Sequence, residues 1–426
     1  MMKRIFLVTF FVFTFTSFNT MYALTIDDLL NAVKNQPDSI IDKLQIEKSN
    51  IEKEKLTAKL YPSVDGIVSY EYHNSPTNLR PMPPTEVNPR VDPIPFSKAI
   101  LRYGLELKMP LFVKEIYTLR KKLSVVQSEL RLKRKQNIIS REAAVVSLNA
   151  SLSYLESYID YLDKRIESLN TTKNHISLMV KNGRLPEAEL YKIDNLILQL
   201  KSMKNNLVNK KVEIVKNIKI LTSKDIEESV PMTLVEQNLN GENLTLKILN
   251  KDIEANLISK QAAKDKFYPS LYLTASYIQN AGTAYNTDTH IERTYGSIMV
   301  ALKIPLFEKT NFTGLKESKI DLFKAKQKYN KAKLEIESTK QKIDEQLPII
   351  EENISLYQKQ VENQRDLLNI AKVAYKNQRM TTEEYLRYEV NLLQSQAELS
   401  NMIAEKWKLI AEKALLNGKD LVEVIK

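Results

Sequence analysis

The 426-residue sequence contains no cysteine, which excludes disulfides, thiolate metal sites, a catalytic thiol and an N-terminal lipidated cysteine. Its eight glycines leave no phosphate-cradling loop. Three histidines, His73, His175 and His290, lie too far apart in sequence to form a metal-ligand pair. Long apolar runs are scarce as well. Ile5 to Phe18, preceded by Lys3 and Arg4, falls short of the ~20 residues of a membrane-spanning helix. It reads as an export signal ending near Met21-Tyr22-Ala23, so residues 1–23 are expected to be a signal peptide. Beyond it, Lys, Glu, Asp or Arg interrupts every long apolar stretch. The expectation is an exported chain with no membrane helix and no lipid anchor.

The formal net charge is +11. A basic balance can indicate nucleic acid, but here Lys alternates with Glu along heptad-like segments, the pattern of a solvated helix face. No nucleic-acid partner is expected. No acid–base or nucleophile constellation has the spacing that catalysis requires, so neither an enzyme nor a cofactor is expected.

What the sequence does contain is a duplication. Tyr61-Pro62-Ser63 returns as Tyr268-Pro269-Ser270, 207 positions later. Met109-Pro110-Leu111-Phe112 returns as Ile304-Pro305-Leu306-Phe307 and Asn182-Gly183-Arg184-Leu185 as Asn377-Gln378-Arg379-Met380, both 195 positions later. The difference places a 12-residue insertion between the first two landmarks. Such a period is far longer than the ~20–50 residues of solenoid repeats.

Each half opens with a helix, Ser39 to Leu60 and Leu244 to Phe267, stopped by its Tyr-Pro-Ser because proline disfavours helical geometry in the preceding residue. Strict alternation follows, predicting strands at 63–73, 98–109, 270–280 and 293–304. One apolar phase holds Val64, Val68 and Tyr70, then Leu101, Tyr103 and Leu105, then Leu271 and Leu273, then Ile298 and Val300. The other phase is mostly polar. Strands of ~9–11 residues suit a tilted outer-membrane barrel, for which the apolar positions are lipid-facing candidates. Four strands cannot close on themselves, and open edges are forbidden in lipid, so several chains must share one barrel. The segment between the first two strands, Asn74 to Ser97, is proline-rich and reads as a long external loop.

After each hairpin the apolar period changes to 3 and 4, as in Ile116, Leu119, Leu123, Val126, Leu130 and again in Leu148, Leu152, Leu155, Ile159, Leu162, Ile166. Sustained heptads predict coiled-coil helices at about 114–181 and 309–377, the second bent locally at Pro348. Tight turns follow, then returning helices at about 187–222 and 382–417. The expected organisation is a first repeat at 24–222, a polar linker at 223–241 and a second repeat at 242–426.

The turn sequences Gly183-Arg184-Leu185-Pro186-Glu187-Ala188-Glu189-Leu190 and Gln378-Arg379-Met380-Thr381-Thr382-Glu383-Glu384-Tyr385, with the Tyr-Pro-Ser and Pro-Leu-Phe landmarks, resemble the TolC family of outer membrane efflux proteins over essentially the whole mature chain. The second copy departs by carrying Gln378 where the family has glycine. The resemblance implies a mainly α fold with a small β part: a trimeric transmembrane β-barrel continued by a long periplasmic α-helical coiled-coil barrel. It implies a homotrimer in the outer membrane of a Gram-negative-type cell, acting as the exit duct of a tripartite efflux or type I secretion system. A periplasmic adaptor and an inner-membrane pump are the implied partners.

Helix-tip residues Gly183, Arg184, Leu185, Pro186, Gln378, Arg379, Met380 and Thr381 are then candidates for adaptor docking. Glu383 and Glu384 are candidates for an acidic constriction ring at the entrance, with Arg387 one turn on to offset it. The plainer reading of these acids is favourable negative charge in the first turn of a helix. Two other functions fit the sequence less well. A periplasmic adaptor usually carries one helical hairpin and glycine-punctuated β domains. A structural exported coiled coil has no use for four amphipathic strands.

Overall fold

The computed structural model describes residues 24–81, 92–236 and 239–426 and, of Thr382 and Glu383, the backbone alone. The expected signal segment and Pro83, Pro84 and Pro89 of the proline-rich loop lie outside the described residues. The chain order is α1 (Ile26–Val33), α2 (Pro37–Ala58), β1 (Ser63–Asn78), β2 (Phe96–Phe112), α3 (Lys114–Lys181), α4 (Glu187–Thr222), α5 (Leu244–Asp265), β3 (Ser270–Thr283), β4 (His290–Lys303), α6 (Lys309–Lys376), α7 (Thr382–Leu416) and α8 (Leu421–Val424).

The duplication is visible residue by residue. Helices α2 and α5 both have 22 residues, and both of their ends differ by the sequence offset of 207. Helices α3 and α6 both have 68 residues, with both ends at the offset of 195. At 1.5 Å per residue each long helix spans about 100 Å.

Helices α2 and α5 stop two residues sooner than the Tyr-Pro-Ser rule alone predicts. Each ends in tighter i→i−3 bonds, Leu60 N to Thr57 O and Tyr61 N to Ala58 O in one, Phe267 N to Lys264 O and Tyr268 N to Asp265 O in the other. Helix α2 also begins earlier than Ser39, with Pro37 at its first position, where the missing N–H costs nothing. In α6, Pro348 lies inside a helix that runs on without interruption.

The four strands form one antiparallel sheet in the order β1-β2-β3-β4. They extend past the alternation that predicts them, except at Ile304, which falls just outside β4. Pairing of β2 with β3 joins the two repeats, and Gly104 is required there: a Cβ would lie 2.2 Å from the Tyr277 carbonyl oxygen.

Two short helices, α1 and α8, escape the repeat-based reading because neither has a counterpart in the other half among the described residues. Helix α1 is set by a capping box between Thr25 and Asp28. The linker is also more than a polar connection. Ile226 and Leu239 are buried, and Leu234 bridges Ile425 near the C-terminus. Asn149 of α3 donates to Val230 O and accepts from Val230 N, fastening the linker across the long helix. The largest apolar cluster lies at this belt, where α1 and α8 meet α3, α4 and α7.

Candidate functional site

The sheet separates two chemistries. Directly paired residues of adjacent strands point to the same face, so the register sorts side chains without ambiguity. Val64 pairs Leu107, Leu107 pairs Ala275 and Ala275 pairs Ile298. Val68 faces Tyr103, Tyr70 faces Leu101, Leu105 faces Tyr277, Leu273 faces Val300 and Leu271 faces Leu302. All ten strand positions singled out by alternation therefore share one apolar face, and most are exposed.

The opposite face is mostly polar. One row runs Ser69, Arg102, Asn280, Arg293 across all four strands, and another runs Asp65, Glu106, Ser276, Ser297. Arg102 is the hub. Its Nε donates to Glu71 at 3.0 Å and its Nη1 to Asn280 Oδ1 and to the carbonyl of Leu79 at 3.0 Å. Leu79, just past β1, folds onto this polar face against Ile100, Ala284 and Ile291. Its N–H donates to Pro95 O at 2.8 Å. The described ends of the proline-rich loop thus turn inward over one end of the polar face, a feature that proline content alone did not reveal.

At the far end of the long helices, both tips adopt the same C-terminal motif. Arg184 N donates to Met179 O and Gly183 N to Val180 O; Arg379 N donates to Ala374 O and Gln378 N to Tyr375 O. Gly183 and Gln378 occupy the left-handed position at φ 65° and 56°. Gln378 therefore does the work of the glycine it replaces. Gly183, Arg184, Pro186, Gln378, Arg379 and Thr381 are exposed, while Leu185 and Met380 are half-buried. Leu185 packs into an apolar cluster with Ile166, Ile193 and Leu386 of α7, so the two tips share one end of the molecule.

Glu384 is engaged locally. Its carboxylate accepts from Thr381 N at 3.0 Å and Thr381 Oγ1 at 2.9 Å, closing a capping box at the start of α7. Those two bonds lower its pKa, the backbone bond most, with a small contribution from the Arg387 charge. Arg387 is exposed, and the side chain of Glu383 lies outside the described residues.

A polar cluster just above the tips was not singled out from sequence. Arg165 of α3 is buried and ion-paired with Glu389 of α7, and its Nη2 donates to Leu386 O at 3.1 Å. Ser168 Oγ and Tyr385 OH both donate to Glu389 Oε1, at 2.5 and 2.7 Å. Burial, reinforced by the Glu389 bond, pushes the Tyr385 phenol up. Tyr385 also stacks on Tyr375 of α6 with ring centroids 4.9 Å apart. A signal existed: Arg165 stands three residues after Leu162 and four before Leu169, on an otherwise apolar seam, and a charge there needs a buried partner.

No protein-family model matches the sequence, and no curated protein does. Solved structures do. The CmeC outer membrane channel of Campylobacter jejuni superposes with a TM-score of 0.77 at 17% identity, over 92% of this chain and 85% of that one. The outer membrane protein VceC of Vibrio cholerae gives 0.73 at 14% identity, over 92% and 95%. The MtrE outer membrane channel of Neisseria gonorrhoeae, in its open state, gives 0.69 at 14%, over 93% and 89%.

This is the outer-membrane-channel fold.

In that fold the sheet is the candidate membrane element, and no described helix is long and apolar enough to cross a membrane. Sheet and tips lie at opposite ends of helices about 100 Å long.

Proposed function

We propose that this chain is the protomer of an outer membrane exit duct in a tripartite efflux or type I secretion system. The observation that carries the proposal is the sheet: one face mainly apolar in every strand, the other crossed by polar rows, with both outer edges unpaired among the described residues. An apolar outside and a polar inside are what a water-filled barrel in lipid requires. Open edges in lipid require closure by further chains. Three copies give twelve strands, and the long helices continue the barrel across the periplasm.

In this reading Val64, Val68, Tyr70, Leu101, Tyr103, Leu105, Leu271, Leu273, Ile298 and Val300 face lipid. The exposed tip residues Gly183, Arg184, Pro186, Gln378, Arg379 and Thr381, flanked by Leu185 and Met380, meet a periplasmic adaptor that couples the duct to an inner-membrane pump. Glu383 and Glu384 line the entrance from three chains, offset by Arg387. With no cysteine to carry a lipid, the barrel is the anchor.

The test is a mass measurement in detergent, corrected for bound detergent, combined with planar-bilayer recording. Three copies and a discrete ion conductance are expected. A monodisperse monomer or dimer, or a trimer that conducts nothing, would overturn the proposal.

A further inference from the structure

Where residues 229–232 of the linker cross α3 and α7, they leave a groove of about 420 Å³, within the ~300–1,000 Å³ of ligand sites. Two rings, Tyr154 of α3 and Trp407 of α7, line it together with four hydroxyls, those of Ser153, Ser157, Ser229 and Ser400. The other lining side chains are apolar. None of the twelve is charged, although 27% of the whole chain is. The grooves nearer the tips along the same helices differ in this respect, since both include Arg165 and a glutamate.

The frame of the groove is fixed from beneath. Glu156 of α3 accepts the Ser229 N–H at 3.0 and 3.2 Å and is itself held by Lys211 of α4 at 3.0 Å. Asn149 takes both backbone polar groups of Val230, and Pro231 has no N–H to satisfy. The lining groups, by contrast, are free. The hydroxyls of Ser153, Ser229, Ser400 and Tyr154 and the Trp407 indole N–H have no hydrogen-bond partner among the described residues. Tyr and Trp usually find a partner for their polar group when buried, and both rings here are half-buried. Ser157 Oγ donates to Ser153 O, and its lone pairs remain open to a donor.

A ligand that matches these groups is uncharged, lays an apolar C–H face on an aromatic ring and carries hydroxyl or amide groups along its edge. A pyranose ring has this chemistry. We infer that the groove binds a segment of glycan chain, of the amino-sugar kind that forms the cell wall. This rests on the exit-duct reading, which supplies the location. In a duct the layer made by the linker, α1 and α8 belongs on the outer side of the wall, because on the inner side it would obstruct the lumen. The groove then faces the periplasm about 60 Å from the sheet, at some 40 residues along α3. It lies over the seam between α3 and α7, which is complete within one chain. Three copies would set three grooves at one level, and several grooves on one polymer bind far more tightly than one alone.

Trp407 is the only tryptophan, so its emission reports on the groove directly. The full-length protein in detergent is titrated with a β-1,4-linked tetramer of N-acetylglucosamine, and is sedimented with protein-free cell-wall sacculi. The tetramer is expected to change Trp407 emission saturably and to compete the protein off the sacculi. Ser153→Arg fills the groove from an exposed helix position and keeps the reporter. It is expected to weaken both readouts about tenfold or more, with trimer yield and conductance unchanged.

A conducting trimer whose Trp407 emission ignores the tetramer overturns the glycan site and leaves the exit-duct reading intact. So does tetramer binding that Ser153→Arg leaves unaltered, since the sugar would then bind elsewhere. An emission change with an apolar dye but none with the tetramer also overturns it. Binding by a protein that neither trimerises nor conducts upholds the groove as a sugar site and overturns the exit-duct reading.

Discussion

Arg165 of α3 and Glu389 of α7 form a buried ion pair between the two repeats, with Glu389 about two helical turns into α7. Breaking such a pair by removing one partner strands the other charge and costs ~3–5 kcal/mol. Arg165→Ala is therefore expected to loosen α7 from α3 locally and to raise single-channel conductance if the tips limit the entrance. Arg165→Lys retains the charge but has no planar fork to reach Leu386 O, and should fall between the two. Amide exchange along α7 together with planar-bilayer recording measures both effects. Faster exchange with unchanged conductance would mean that the entrance is limited elsewhere.

The sheet predicts opposite outcomes for neighbouring positions. Val68→Arg sets a charge on the apolar face and should cost ~2–4 kcal/mol near the membrane midplane, lowering trimer yield. The polar-face control is Asp65→Arg, since Asp65 stands opposite Glu106. Ser69 is a poorer control because it faces Arg102, and a second cation there would meet like charge. Normal yield for Val68→Arg with loss for Asp65→Arg would invert the assignment of faces.

For the tip acids, Glu384 is the N3 residue of a capping box, and glutamine serves that position too. Replacing Glu383 and Glu384 with Gln removes charge while keeping the cap. A structural role alone predicts a stability loss of ~0.3–1 kcal/mol per charge and no electrical effect. A ring of carboxylates predicts altered conductance and weakened block by divalent cations, at unchanged trimer yield. Recordings of the double variant separate the two.

Glu142 of α3 predicts a pH dependence at the belt. Burial chiefly, and then the neighbouring Asp420 charge, push its carboxyl up to about 8, opposed by the Leu421 N–H and by Lys34. The folded state thus keeps a proton that the unfolded chain releases above its ordinary pKa of 4.5. This contribution is fully present below that pH and is lost as pH rises toward about 8. Glu142→Gln keeps an oxygen for Leu421 N and removes the titration. Melting temperature measured between pH 5 and 8 should fall more steeply for the native protein than for the variant, and equal slopes would exclude Glu142 as the cause.

The sequence by itself determined the duplicated unit, its element types and the two faces of each strand, because all of these are local. Period two against period 3.5, a proline after a helix and a glycine at a helix end act through neighbours in the chain. Alternation alone was enough to select the ten apolar positions from Val64 to Val300. Tertiary structure decided what depends on partners distant in sequence. Helices α1 and α8 are stable only where they share the apolar belt with α3, α4 and α7, and no repeat announces them. The linker reads as polar because its buried residues are few, yet Asn149 and the Leu234–Ile425 bridge fasten it. Leu79 and Ile100 look like ordinary loop and strand residues until the chain folds one onto the other. Arg165 looks like a flaw in an apolar seam until Glu389, 224 positions away, arrives to pair with it. A buried charge is tolerable only with its partner in place, and which residue supplies that partner is fixed by the packing of α3 against α7.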